Sequence, residues 1–73
     1  MAVPELKNVL KADDDDRVRT EAASTLGKIG ADARSAVPVL IDALRDPSVV
    51  IRSEAMWALG EIGSAETAVI DAQ

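Results

Sequence analysis

The side chains that enzymes and metal sites recruit most often are scarce in this 73-residue sequence. It contains no Cys and no His. The first absence removes disulfides and thiolate metal sites, and the second removes the commonest metal ligand and general base. What remains is a run of four acids, Asp13 to Asp16, a pair of carboxylates at Glu21 and Glu54, and one aromatic residue, Trp57. Four consecutive Asp residues invite a calcium reading. A calcium loop, however, needs alternating oxygen ligands, a glycine turn and a distal bidentate Glu. The run has no glycine and no alternation, so it reads as a solvated turn that caps the next helix. No catalytic, metal or cofactor-binding residue is expected.

The elements that hold these residues come from an internal repeat. Ala2-Val3-Pro4-Glu5-Leu6 recurs as Ala36-Val37-Pro38-Val39-Leu40, an offset of 34. Arg19-Thr20-Glu21-Ala22 recurs as Arg52-Ser53-Glu54-Ala55, and Leu26-Gly27-Lys28-Ile29-Gly30 as Leu59-Gly60-Glu61-Ile62-Gly63, both at an offset of 33. A third start appears at Ala68-Val69. A fixed period near this length is the mark of a helical repeat, in which each unit buries its hydrophobic face against its neighbours. The units are repeat one at 2–34, repeat two at 35–63 and a partial third at 64–73, all within one domain spanning 1–73.

Each unit reads helix, turn, helix, with helices at about 4–12, 16–29, 36–45, 49–62 and 66–72. Pro4 and Pro38 suit the first helical turn, where a missing N–H costs nothing. Ser35 is the expected N-cap before Pro38, and the Asp and Ser residues of 13–16 and 46–48 cap the second helices. Gly30 and Gly63 stand where left-handed helix ends are expected. Ile51, Ala55, Ala58, Leu59 and Ile62 fall on one helical stripe, as do Val18, Ala22, Thr25, Leu26 and Ile29. In the first helices Leu6, Val9 and Leu10 match Leu40, Ala43 and Leu44. With Trp57 the only aromatic residue, the core must be Ala, Val, Leu and Ile. Such small side chains let helices approach closely.

The signature Asp46-Pro47, Val50-Ile51-Arg52, Ala55 and Ala58-Leu59-Gly60-Glu61-Ile62-Gly63 resembles the HEAT-like repeats of the phycobilisome-lyase type. The first unit matches it with Arg17-Val18-Arg19, Ala22-Ala23 and Leu26-Gly27-Lys28-Ile29-Gly30. The resemblance implies an all-α fold, an α-α superhelix (α-solenoid) of two helical hairpins plus a partial third. First helices would lie on its convex side and second helices on its concave side. It also implies that Asp13 and Arg19, and equally Asp46 and Arg52, form a structural ladder linking an interhelical turn to a neighbouring second helix. Families that share such repeats include chromophore lyase subunits, scaffold proteins, a DNA-repair glycosylase and the deoxyhypusine hydroxylases.

The catalytic members fit poorly. The hydroxylases carry His-Glu pairs that bind iron, and these would fall at Thr20-Glu21 and Ser53-Glu54. The Glu is present and the His absent in both, so Glu21 and Glu54 are expected to be structural or solvated. The glycosylase needs a basic face for DNA, whereas the second helices present Thr20, Ser24, Ser53 and Trp57. Eight Lys and Arg against 13 Asp and Glu give a net charge of −5, which argues against nucleic acid and anionic membranes. No apolar stretch reaches transmembrane length and no charged leader precedes one, so a cytoplasmic, membrane-free protein is expected. Lyases resemble much longer arrays, and two units offer little pocket volume.

A non-catalytic protein-interaction or scaffolding module remains as the expected function, with a piece of a chromophore-lyase-like protein and a self-assembling structural oligomer as alternatives. Trp57 lies about 150° from the centre of its core stripe, and its counterpart is Ser24. A Trp off the stripe is either an interface anchor on the concave face or a side chain packed on the C-terminal segment near Val69 or Ile70. The candidate protein-binding residues are therefore Trp57, Ser53, Met56, Ser24 and Thr20, with Met56 placed at the inter-repeat flank. The sequence shows no polar capping helix before the first repeat, and the third unit lacks its second helix. Self-association through an open end is thus expected alongside an unidentified protein partner.

Overall fold

In a computed structural model, the backbone is described for residues 2–71 and the side chains for residues 2–63. Helix α1, Val3–Ala12, carries Pro4 in its first turn and Lys11 in its last. Helix α2, Asp16–Ile29, is capped by Asp15. A 3₁₀ segment, Gly30–Ala36, leads into α3, Val37–Ala43, and a turn then leads into α4, Val49–Asp71. The described residues contain helices and turns only. They form two helical hairpins, α1 with α2 and α3 with α4, stacked mainly through α2 against α4. The expected all-α helical repeat is the fold observed.

The core consists of Leu6, Leu10, Ala22, Ala23, Leu26, Ala33, Ala36, Leu40, Ala43, Ile51, Ala55, Ala58 and Ile62. Alanines dominate where α2 meets α4, and only side chains this small permit such close stacking. The valines expected in the core lie around it instead: Val3, Val9, Val37 and Val39 are partly buried against the cluster. The two second-helix stripes are not buried alike. Ile51, Ala55, Ala58 and Ile62 are buried, whereas Val18 on α2 remains 37% exposed.

Three local expectations need correction. Ser35 does not cap α3, since it lies inside the 3₁₀ segment and the cap position is Ala36, with no side-chain hydrogen bond. The 3₁₀ turn runs directly into α3, and Val37 N–H already donates to the Arg34 carbonyl, so no vacant first turn awaits a hydroxyl. Helix α3 ends at Ala43, two residues early, because Leu44, Arg45 and Asp46 donate to the carbonyls of Ile41, Asp42 and Ala43 in a tightened last turn.

The third correction concerns Gly63, which does not end a helix. It lies within α4, which continues as one helix to Asp71. At Gly30 the chain turns with φ +75°, and Ala33 and Ala36 bury beyond it. Residues 64–71 contain no proline, so nothing in that segment forbids the helix. The expected helix at 66–72 is thus merged into α4 as far as Asp71.

Candidate functional site

The interhelical turns are built by the same device twice. Asp13 Oδ1 accepts the Asp15 N–H at 2.8 Å, and Asp46 Oδ1 accepts the Ser48 N–H at 2.9 Å. Asp15 Oδ1 then accepts the Arg17 N–H at 2.9 Å and so caps α2, while Ser48 Oγ stands 3.4 Å from the Ile51 N–H at the start of α4. The carboxylates of Asp13, Asp15 and Asp16 therefore face backbone amides and arginines. Among the described residues no group of His, Cys, Asp and Glu could hold a metal ion.

The arginines close the device. Arg19 Nη1 donates to the Asp13 carbonyl at 2.6 Å, and Arg52 Nη1 donates to the Asp46 carbonyl at 2.7 Å and the Pro47 carbonyl at 3.2 Å. Arg19 reaches further. Its Nη2 bonds Asp16 Oδ1 at 2.5 Å, and its Nε lies 3.3 Å from Asp46 Oδ2 in an ion pair without hydrogen-bond alignment. Thus the turn of the second hairpin is tied to the second helix of the first. Burial opposes the Arg19 charge, but the charges of Asp46 and Asp16 and the hydrogen bond to Asp16 outweigh it and raise its pKa above the ordinary guanidinium value.

Asp15 provides a test of the cap. The hydrogen bond from the Arg17 N–H, followed by the Arg17 side chain, holds its carboxyl below the ordinary aspartate value. A lowered carboxyl pKa adds stability that is present above the unfolded value and is lost as pH falls through the folded one. The melting temperature should therefore drop as the solution is taken from neutral into the acid range where carboxylates protonate, and by less in Asp15→Asn, which keeps the cap oxygen without the titration. An identical drop in both proteins would show that the cap charge contributes nothing.

The second-helix face gathers the remaining candidates. Trp57 is 43% exposed, so it neither projects freely nor is buried. A Cβ built on Gly27 would lie 2.8 Å from Trp57 Cε3 and 3.0 Å from the Ala58 Cα. The ring edge thus rests on α2, over Gly27, and leaves its other side to solvent. The alternative contact with Val69 or Ile70 lies outside the described side chains. Ser53 is exposed and Ser24 is half-buried. The Thr20 hydroxyl turns back to donate to the Asp16 carbonyl at 2.8 Å, so it offers its methyl group to a partner before its donor. Met56 is 67% exposed, whereas its repeat counterpart Ala23 is fully covered. Val49 and Val50 are also exposed at the start of α4, and Val50 helps to line a shallow cleft with Asp16, Arg17, Thr20, Glu21 and Ser48.

Gly27 is the site residue that the helical wheel does not reveal. A glycine costs stability in mid-helix and asks for a packing reason. Its recurrence at Gly60 is the signal that the sequence offers.

A family model described as HEAT repeats matches residues 3–71. The chain belongs to the HEAT-repeat family. HEAT repeats commonly mediate protein–protein interaction. The chain is also similar to an uncharacterized phycocyanin operon protein Y of Pseudanabaena tenuis (strain PCC 7409), at 34% identity over 67 residues. The match covers 92% of this chain but 14% of that protein. No solved structure matches the chain significantly. Among the described residues, no helix of this HEAT protein is long and apolar enough to cross a membrane.

Proposed function

We propose that this HEAT chain is a non-catalytic, cytoplasmic protein-interaction module that recognises its partner through the second-helix face. The observation that carries the reading is Trp57, wedged over Gly27 with one side of the ring open to solvent. A ring so fixed loses little conformational freedom on binding, and rigid aromatics are the residues that dominate interface energies. Ser53 and Ser24 border it on α4 and α2, and Thr20 lies further along α2. The acidic balance favours a basic partner surface.

The test is a reciprocal capture experiment in source-cell extract, using wild type and Trp57→Ala matched for helicity. Loss of the captured partner on substitution supports the reading, and equal recovery overturns it. Intrinsic fluorescence provides a second check. Trp57 emission should be red-shifted relative to a buried indole and quenched by acrylamide; a blue-shifted, protected signal would sink the anchor.

A second reading has one observation in its favour, the likeness to a phycocyanin operon protein. Under it, the chain is a piece of a longer array that handles a chromophore or a chromophore-bearing protein. Retention of pigment absorbance through purification would favour this second reading over the first.

A further inference from the structure

The shallow cleft between α2 and α4 has a volume of about 540 Å³, and most of its polar groups are already used. Asp16 Oδ1 accepts from Arg19, the Thr20 hydroxyl donates to the Asp16 carbonyl, and Ser48 Oγ faces the Ile51 N–H. Arg17 is paired with Asp15. The surface left over is the Thr20 methyl group and the Val50 side chain, which is 52% exposed. A hydroxyl or amide placed there would lose water without gaining a partner, whereas an aliphatic group gains by leaving water. Glu21, exposed at the same cleft, adds negative charge beside it.

Val50 also opens a stripe along α4. Glu54, Trp57 and Glu61 follow it at four, seven and eleven residues, so the four share one helical face. Glu54 and Glu61 stand one turn to either side of Trp57. Among the described residues neither carboxylate is in an ion pair. The Trp57 ring rests an edge over Gly27 and leaves its other side to solvent. An indole face flanked by two unpaired carboxylates draws a cation through both the ring quadrupole and the charges. A guanidinium suits it best, because it is planar, stacks on the ring and is more weakly hydrated than an ammonium, and its N–H fork matches a carboxylate. Lys28, exposed next to Gly27 on α2, is a strongly hydrated point charge and competes poorly with a stacked guanidinium.

Seven residues of α-helix rise about 10 Å, which sets the distance from the cleft to the ring. We infer that the partner presents an arginine to Trp57, between Glu54 and Glu61, and an aliphatic side chain to Val50 about 10 Å away. Both contacts lie where the two hairpins meet. The inference rests on the reading of Trp57 as the anchor and adds the chemistry of what it binds. In a partner the separation corresponds to seven residues of α-helix, or to three of polyproline II, which rises about 3.1 Å per residue and returns every third side chain to one side.

The probes are two tetrapeptides, acetyl-Leu-Pro-Pro-Arg-amide and acetyl-Arg-Pro-Pro-Leu-amide, which hold the pair at that spacing in either direction. Amide chemical shifts of the 73-residue chain report their binding. One of the two should bind in the millimolar range and move the signals of Val50, Glu54 and Trp57. Replacing its arginine by glutamate, or placing arginine next to leucine, should weaken binding about tenfold or more. Trp57→Ala should do the same. Glu54→Gln and Glu61→Gln should each weaken it about threefold, and the double variant about tenfold. Val50→Ser should abolish the preference for leucine over glycine in the peptide. Far-ultraviolet circular dichroism confirms that these variants keep the fold. Failure of both peptides to bind, equal binding of the glutamate version, or wild-type binding by the Glu54→Gln/Glu61→Gln variant would overturn the inference. Partner capture separates it from the reading on which it rests. Capture that needs Trp57 but survives the double Gln substitution sinks the arginine site alone, whereas capture that survives Trp57→Ala sinks the anchor itself.

Discussion

Gly27→Ala should destabilise the protein while the repeat-equivalent Gly60→Ala stabilises it. Gly60 lies in mid-helix and Gly27 in the last turn of α2, and replacing either removes a helical penalty of at most about 0.5–1 kcal/mol relative to alanine. Only the surroundings differ. At Gly60 an added methyl meets open space among the described residues, so the gain should appear in full. At Gly27 it would stand 3.0 Å from the Ala58 Cα, well inside carbon–carbon contact distance. Backbone cannot rotate away, so α2 and α4 must separate. Overpacking of this kind costs about 1–3 kcal/mol. After the helical gain, a net loss of about 1–2 kcal/mol remains, or roughly 5–15 °C in a domain of this size. Trp57 serves as the reporter, because the same methyl collides with its ring edge. In Gly27→Ala its emission should move to the red and its quenching rise, while Gly60→Ala leaves both unchanged. Equal melting temperatures for the two variants would mean that Gly27 is not the point of close approach.

Part of this pair is legible in the sequence, and the limit lies in the helical wheel. The offset of 33 aligns Leu26-Gly27 with Leu59-Gly60 and so identifies equivalent positions. The boundaries of α2 and the start of α4 come from Asp and Ser at the turns, because capping is a local interaction. A wheel places residues relative to their own helix. It puts Trp57 off the core stripe, and on its own helix that is right. It has no information about a helix lying alongside, so the rest of the ring over Gly27 escapes it. Ser35 fails as a cap for a related reason. The side chain has the right chemistry, but the backbone before α3 is already turning in a 3₁₀ segment with its amides taken. Gly63 matches Gly30 in sequence, but Gly30 turns the chain at φ +75° with Ala33 and Ala36 buried beyond it, whereas Gly63 lies inside a helix that runs on to Asp71.

The contrast between Gly30 and Gly63 gives a second pair of variants opposite signs as well. Gly30 turns the chain at φ +75° and ψ −136°, a region that nearly excludes side chains because Cβ collides with the backbone. Among the described residues there is open space around a Cβ built there, so the cost of Gly30→Ala is backbone strain, about 1–3 kcal/mol. Gly63 lies inside α4, with open space around a built Cβ among the described residues. Gly63→Ala should therefore raise stability by about 0.5–1 kcal/mol. Thermal melts of the two variants against wild type decide the matter. A loss at both positions would mean that Gly63 adopts the left-handed turn of its counterpart and that a third unit folds back there. A gain at Gly63 alone means that α4 runs on through Gly63 as one helix.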